Sequence, residues 1–210
     1  MTFPAKGTAI LLVAWVIVIG GALALFSPRP EPPDDALLGV LRPSPTPLRA
    51  FELTDQTGSR FDVERLKGYW TLLFFGYTYC PDICPATLST LSAVARELES
   101  TGWTRDDYQV VFVSIDPARD DLEHIARYLA FFDDGYTGVT GDPDALLSFA
   151  TQFGARYYRE PADESDATYF MAHTSSIFLV NPRAELVASF SPPHDGTTIA
   201  TLLRRIVEWM

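Results

Sequence analysis

The chain has 210 residues; setting aside its N-terminal apolar run leaves about 160, which suits one domain with its own core. Aspartate and glutamate number 27 against 16 lysines and arginines, a formal charge of −11, so a phosphate backbone is repelled and nucleic acid is excluded as a partner. The acidic residues are scattered along the chain and read as solvent-facing charge that keeps the domain soluble.

From Thr8 to Phe26 the sequence carries no charge and, as a helix, would span roughly 28 Å against a hydrocarbon core of about 30 Å. Lys6 and the amino terminus precede this run, whereas Glu31, Asp34 and Asp35 accompany Arg29 beyond it. By the positive-inside rule, residues 1–7 are then cytoplasmic, residues 8–26 form a transmembrane anchor, and the remainder is exported. Ala22-Leu23-Ala24 resembles a signal-peptidase site, but the apolar run exceeds the usual h-region of about 7–15 residues, which favours a retained anchor. No Arg- and Ser-rich presequence precedes it, so the expected place is the bacterial cytoplasmic membrane, with the domain in the periplasm.

Residues 27–47 are proline-rich and lack periodicity, and so predict a semi-extended linker, with the folded domain over 48–210. Phe51-Glu52-Leu53 and Arg60–Val63 about Gly58 predict a small hairpin. Tyr69 to Tyr77 is an apolar aromatic run expected of a strand buried on both faces. After Pro85, Leu88, Leu91, Val94, Ala95 and Leu98 recur at helical spacing to about Ser100, with Gly102 as a stop. Tyr108–Ile115 predicts a second buried strand and Leu122–Phe132 a second helix. Asp142 and Pro143 open a third helix closed by Gly154; Ser176–Asn181 and Glu185–Phe190 form a hairpin about Pro182; Thr197–Trp209 is a last helix. This order implies an α/β fold, a mixed sheet flanked by helices with its parallel pair first and its antiparallel pair last.

The two cysteines, Cys80 and Cys84, lie in YTYCPDICPATL, between the strongest strand and the first long helix, where α/β folds place ligand sites. Pro85 suits an early helical position, so Cys84 is expected at or just before the helix start, where the positive helix end favours thiolates at both cysteines. Three chemistries fit the pair. A structural disulfide would close a loop of only about five residues and stabilise little. Disulfide exchange needs a low-pKa pair of this kind, although its usual spacing is C-x-x-C. Two thiolates also select a soft ion such as copper(I), and an imidazole would make a third ligand suited to copper in either oxidation state, whereas zinc usually asks for a fourth. Of the three histidines, His124 reads as a solvated helix residue and His194 as a surface-loop residue. His173 differs, because it stands where a polar loop meets a hydrophobic strand and can face another loop.

The segments FELTDQTGSRFDVERLKGYW, FFGYTYCPDICPATL, VVFVSIDPARD, GVTGDPDALLSFATQFGARYY and AHTSSIFLVNP, spread over residues 48–209, resemble the Sco/SenC family of copper proteins that help assemble the dinuclear copper centre of cytochrome c oxidase. The resemblance implies a thioredoxin-like fold, Cys80, Cys84 and His173 as ligands of a copper ion, Cu(I) or Cu(II), and a Cys80–Cys84 disulfide in the oxidised form. It implies a metallochaperone rather than an enzyme, whose partners are the oxidase subunit carrying that centre and other periplasmic copper carriers or thiol reductants. A thiol-disulfide reductase preparing the oxidase cysteines, a redox or copper sensor and a thiol peroxidase are the alternatives. The acidic residue usual before the histidine is Ala172 here, and the usual D-x-x-G turn is Asn181-Pro182-Arg183-Ala184. Asp82, Asp116, Pro117 and Arg119 fall in the matching motifs and are expected to shape loops around the site.

Overall fold

Two apolar runs, Trp70–Gly76 (β4) and Tyr108–Ser114 (β5), pair in parallel along their whole length, from Trp70 opposite Tyr108 to Gly76 opposite Ser114. Both are buried on both faces, as their nearly unbroken hydrophobic sequences require. In this computed structural model, residues 33–160 and 169–210 are described, together with Trp15 alone. The anchor expected over residues 8–26 therefore lies outside the described residues apart from Trp15; among the described residues no helix is long and apolar enough to cross a membrane.

The eight-stranded main sheet runs β1-β10-β9-β4-β5-β6-β2-β3, with β1 at Leu41–Pro47, β2 at Glu52–Asp55, β3 at Arg60–Asp62 and β6 at Thr137–Thr140. β9 (Ile177–Val180) and β10 (Glu185–Phe190) form the expected antiparallel hairpin, and β9 lies antiparallel beside β4. A separate two-stranded sheet joins β7 (Tyr157–Arg159) to β8 (Met171–His173). Among the described residues from 33 onward the α-helices are α1 (Asp35–Leu38), α2 (Ile83–Ser100), α3 (Leu122–Ala130), α4 (Pro143–Phe153) and α5 (Gly196–Trp209). This is the mixed, helix-flanked sheet that the sequence order implies.

The proline-rich segment is a correction. Its described part is structured: Asp34 caps α1, and Leu41–Pro47 is an edge strand on β10 rather than a free linker. An edge strand tolerates Pro43, Pro45 and Pro47 because their missing N–H groups can face away from the partner. The second helix also ends earlier than expected, at Ala130, and β6 and β7 were not foreseen, being too short for periodicity to reveal.

Alternation along β4 sorts the core. Phe75 faces Phe149 and Phe153 of α4 and Phe178 of β9, at centroid distances of 6.0, 5.4 and 5.9 Å. Phe74 and Gly76 point to the other face, where Phe74 meets Phe112. The turn between β9 and β10 is held by Asn181, whose Oδ1 accepts from the N–H groups of Arg183 and Glu185; Ala184 takes the left-handed conformation at φ 57°. The departure from a glycine there is thus accommodated locally.

At Gly138 of β6 an added Cβ would lie 2.3 Å from Ile125 Cγ2 and 2.6 Å from Leu129 Cδ1, so α3 packs directly against the bare backbone. Replacing Gly138 by Ala is predicted to lower stability by about 1–3 kcal/mol in denaturant unfolding, the usual cost of overpacking, with the site chemistry retained.

Candidate metal centre

β4 ends at Gly76 and the chain runs through Tyr77-Thr78-Tyr79-Cys80 into α2. The helix begins at Ile83, so Cys84 is its second residue, one position inside the helix rather than at or just before its start. Helices α1, α3, α4 and α5 carry an aspartate at the N-cap whose carboxylate accepts a backbone N–H of the first turn: Asp34, Asp121, Asp142 and Asp195. Asp82, at the N-cap of α2, makes no such bond. The Cys84 N–H instead points to Cys80 Sγ at 3.4 Å, so a thiolate occupies the place of the usual carboxylate.

Cys84 is fully buried on the face of β4 that carries Phe74 and Gly76. A Cβ on residue 76 would stand 2.9 Å from Cys84 Sγ and 2.9 Å from the Phe112 ring, so only glycine admits the sulfur there. The loop before Cys80 is fixed by Asp120, whose buried carboxylate accepts the Thr78 N–H at 3.0 Å, the Thr78 hydroxyl at 2.5 Å and the Ser114 hydroxyl at 2.5 Å. Three donors on one carboxylate satisfy its buried oxygens.

The third member arrives from the small sheet. His173 ends β8, and its Nε2 lies 3.5 Å from Cys84 Sγ. Its Nδ1 is 3.2 Å from the Thr174 carbonyl, which can only accept, so Nδ1 donates there and Nε2 faces the sulfurs. Edge contacts with Phe74 at 5.8 Å and Tyr77 at 6.1 Å hold the ring upright. The ligand atoms of Cys80, Cys84 and His173 all lie within 4.8 Å of one another, with Cys84 buried and the other two half-buried. Both cysteines are free thiols in this structure.

The two thiols share one charge, which corrects the expectation that both ionise easily. Hydrogen bonding from the Cys84 thiol, opposed by burial and reinforced by His173 and by the backbone N–H groups of Asp82 and Cys84, holds Cys80 well below the usual thiol range. The same bond to Cys80, together with burial, pushes Cys84 well above it. Cys80 therefore stabilises the fold most above the pKa of an unfolded thiol, and this contribution is lost as pH falls toward its depressed folded value; Cys84 contributes below the unfolded value and loses this as pH rises past it.

The remaining histidines lie elsewhere. His124 of α3 is half-buried rather than solvated, stacked on the Tyr79 ring at 5.1 Å and 4°. His194 sends Nε2 to the Phe190 carbonyl at 3.1 Å and lines a groove with Ile83 and Ser175. A cleft of about 440 Å³ lined by Trp70, Trp103, Asp106 and Asp107 lies at the opposite end of β4 from the cysteines. Sequence reasoning missed Gly76, Asp120 and Tyr169. The first had a readable signal, a glycine closing a buried strand just before a cysteine loop; the other two acquire their roles only through long-range contacts.

Two half-buried or buried sulfurs and one imidazole at a strand-to-helix corner of a thioredoxin-like fold define a thiol-based metal or redox centre. The SCO1/SenC family profile matches residues 42–208, and the chain belongs to this family. It is 32% identical over 188 residues to the human mitochondrial protein SCO2 homolog, covering 89% of this chain and 70% of that one. Among solved structures it resembles Bradyrhizobium japonicum ScoI with copper bound, at 33% identity and TM-score 0.67, covering 79% of this chain and all of that one. Arabidopsis thaliana ScoI with copper bound gives 29% identity and TM-score 0.71, covering 77% of this chain and 98% of that one.

Ultraviolet titration of the metal-free reduced protein is predicted to show one thiolate per molecule at pH 7, assigned to Cys80 because Cys80→Ser removes it and Cys84→Ser does not; a second thiolate forms only in strong alkali. In Gly76→Ala the Cys84 sulfur must move, and metal uptake measured by competition with a chelator is predicted to fall by about tenfold or more.

Proposed function

We propose that this protein is a membrane-anchored copper chaperone that binds one copper ion through Cys80, Cys84 and His173 and delivers it to the dinuclear copper centre of cytochrome c oxidase. The observation that carries this reading is the convergence of two sulfurs and one imidazole within 4.8 Å. The donor set fits copper: soft thiolates and a neutral nitrogen, with no carboxylate in the group, disfavour magnesium and calcium, and three donors suit copper in either oxidation state better than structural zinc. The copper-bound ScoI relatives support the same cargo.

In this reading residues 8–26 anchor the chain in the bacterial cytoplasmic membrane and the domain works in the periplasm, where tethering raises its concentration near a membrane-bound oxidase subunit. Capture requires Cys84 to give up its proton, so Cu(I) uptake near pH 7 releases close to one proton per ion. Loss of two electrons and the single Cys84 thiol proton to a periplasmic oxidant joins the sulfurs as a Cys80–Cys84 disulfide and removes two of the three ligands, which makes affinity redox-dependent.

A second reading, reduction of the oxidase's own cysteines, is favoured by the division of charge between the pair: a half-exposed Cys80 thiolate able to attack a disulfide, backed by a Cys84 thiol able to resolve it. The readings separate by mutation. Wild type is predicted to take up one equivalent of copper. Cys80→Ser and Cys84→Ser abolish uptake, and His173→Ala weakens it by more than the roughly 10–100-fold that loss of a contact supporting a ligand costs. If His173→Ala left uptake and oxidase assembly intact while either cysteine change stopped assembly, the reductase reading would replace the chaperone.

A further inference from the structure

His173 is carried by β8, which among the described residues pairs only with β7. An isolated two-stranded hairpin is marginal in water. On its C-terminal side β8 is tied to the main sheet through Thr174–Ser176 and β9. On its N-terminal side a described tie is Tyr169, four residues before His173: Arg119 holds its carbonyl and ring, Asp116 takes its hydroxyl, and Arg159 of β7 lies over the same ring at 3.9 Å.

Arg119 lies in the loop between β5 and α3. Its Nε donates to Asp116 Oδ2 at 2.5 Å and its Nη1 to the Tyr169 carbonyl at 3.0 Å, while its guanidinium carbon sits 3.5 Å from the Tyr169 ring centroid. The Tyr169 hydroxyl closes the ring of contacts by donating to Asp116 Oδ1 at 2.6 Å. The same guanidinium lies 5.0 Å from the ring of Tyr79 and 5.6 Å from that of Tyr77, the residues flanking Thr78 on the way to Cys80. One side chain therefore touches both arms of the metal centre. It keeps this place although its Nη2 is buried without a hydrogen-bond partner among the described residues, so the other contacts outweigh that cost.

We propose that Arg119 is a positioning residue that holds the histidine arm against the cysteine arm, acting on His173 through Tyr169. The proposal deepens the copper reading and rests on it for its metal-bound consequence. It assigns to Arg119 the retention of the third ligand, so that loss of Arg119 leaves a two-sulfur site.

The test uses the full chain carrying Arg119→Gln, with Arg119→Lys in its place if the glutamine variant does not fold; lysine keeps the charge but cannot serve Asp116 and Tyr169 together. In the copper-free protein, hydrogen exchange at Met171–His173 is expected to accelerate about tenfold or more while amides of β4 and β5 keep their rates. In the copper(II) form, the imidazole-nitrogen modulation in pulsed electron paramagnetic resonance is expected to disappear, as in His173→Ala, while thiolate-to-copper absorption persists. Unchanged exchange at Met171–His173, acceleration spread equally over the main sheet, or a retained imidazole signal would each overturn the proposal. If wild type takes up no copper, the copper reading fails by itself, and the exchange result alone decides on Arg119.

Discussion

Everything at this centre depends on how closely the Cys84 sulfur approaches the backbone of β4. The sulfur rests against Gly76, on the same face of the strand as Phe74, with the Phe112 ring beside it. A side chain at residue 76 would lift the start of α2 away from the sheet and carry Cys84 away from His173. From this contact the rest follows: α2 starts at Ile83, Cys80 lies one turn before Cys84 at the positive end of the helix, and the buried Asp120 carboxylate fixes the loop between strand and helix.

Burial then decides the electrostatics. Two thiolates side by side at a buried corner would repel, so one proton is kept on Cys84, where solvent is excluded, and the charge is kept on Cys80, where backbone N–H groups and the helix end face it. The imidazole is oriented by the Thr174 carbonyl on its other side, which turns Nε2 toward the sulfurs. A site in this state is poised for a soft cation that brings its own positive charge and displaces the last proton.

Much of this was legible in the sequence because the determinants are local. The aromatic run of β4, the leucine spacing of α2, the Asp142-Pro143 start and Gly154 stop of α4, and the two cysteines one helical turn apart are each written within a dozen residues. The segments that escaped are those whose structure is imposed from outside. Leu41–Pro47 looks like a spacer until β10 offers it an edge, and β6 is four residues long and held by its neighbours. His173 was recognised as a residue at a loop-strand junction, but the hairpin that brings it to Cys84, 89 residues away, depends on contacts among Asp116, Arg119 and Tyr169 that no spacing rule encodes.

The central claim is that two arms of the chain meet in one three-ligand centre. X-ray absorption spectroscopy of the reduced, copper-loaded protein tests it most directly. The account predicts a copper ion surrounded by two sulfurs and one imidazole nitrogen; a shell with one sulfur or none, or without imidazole, would contradict it.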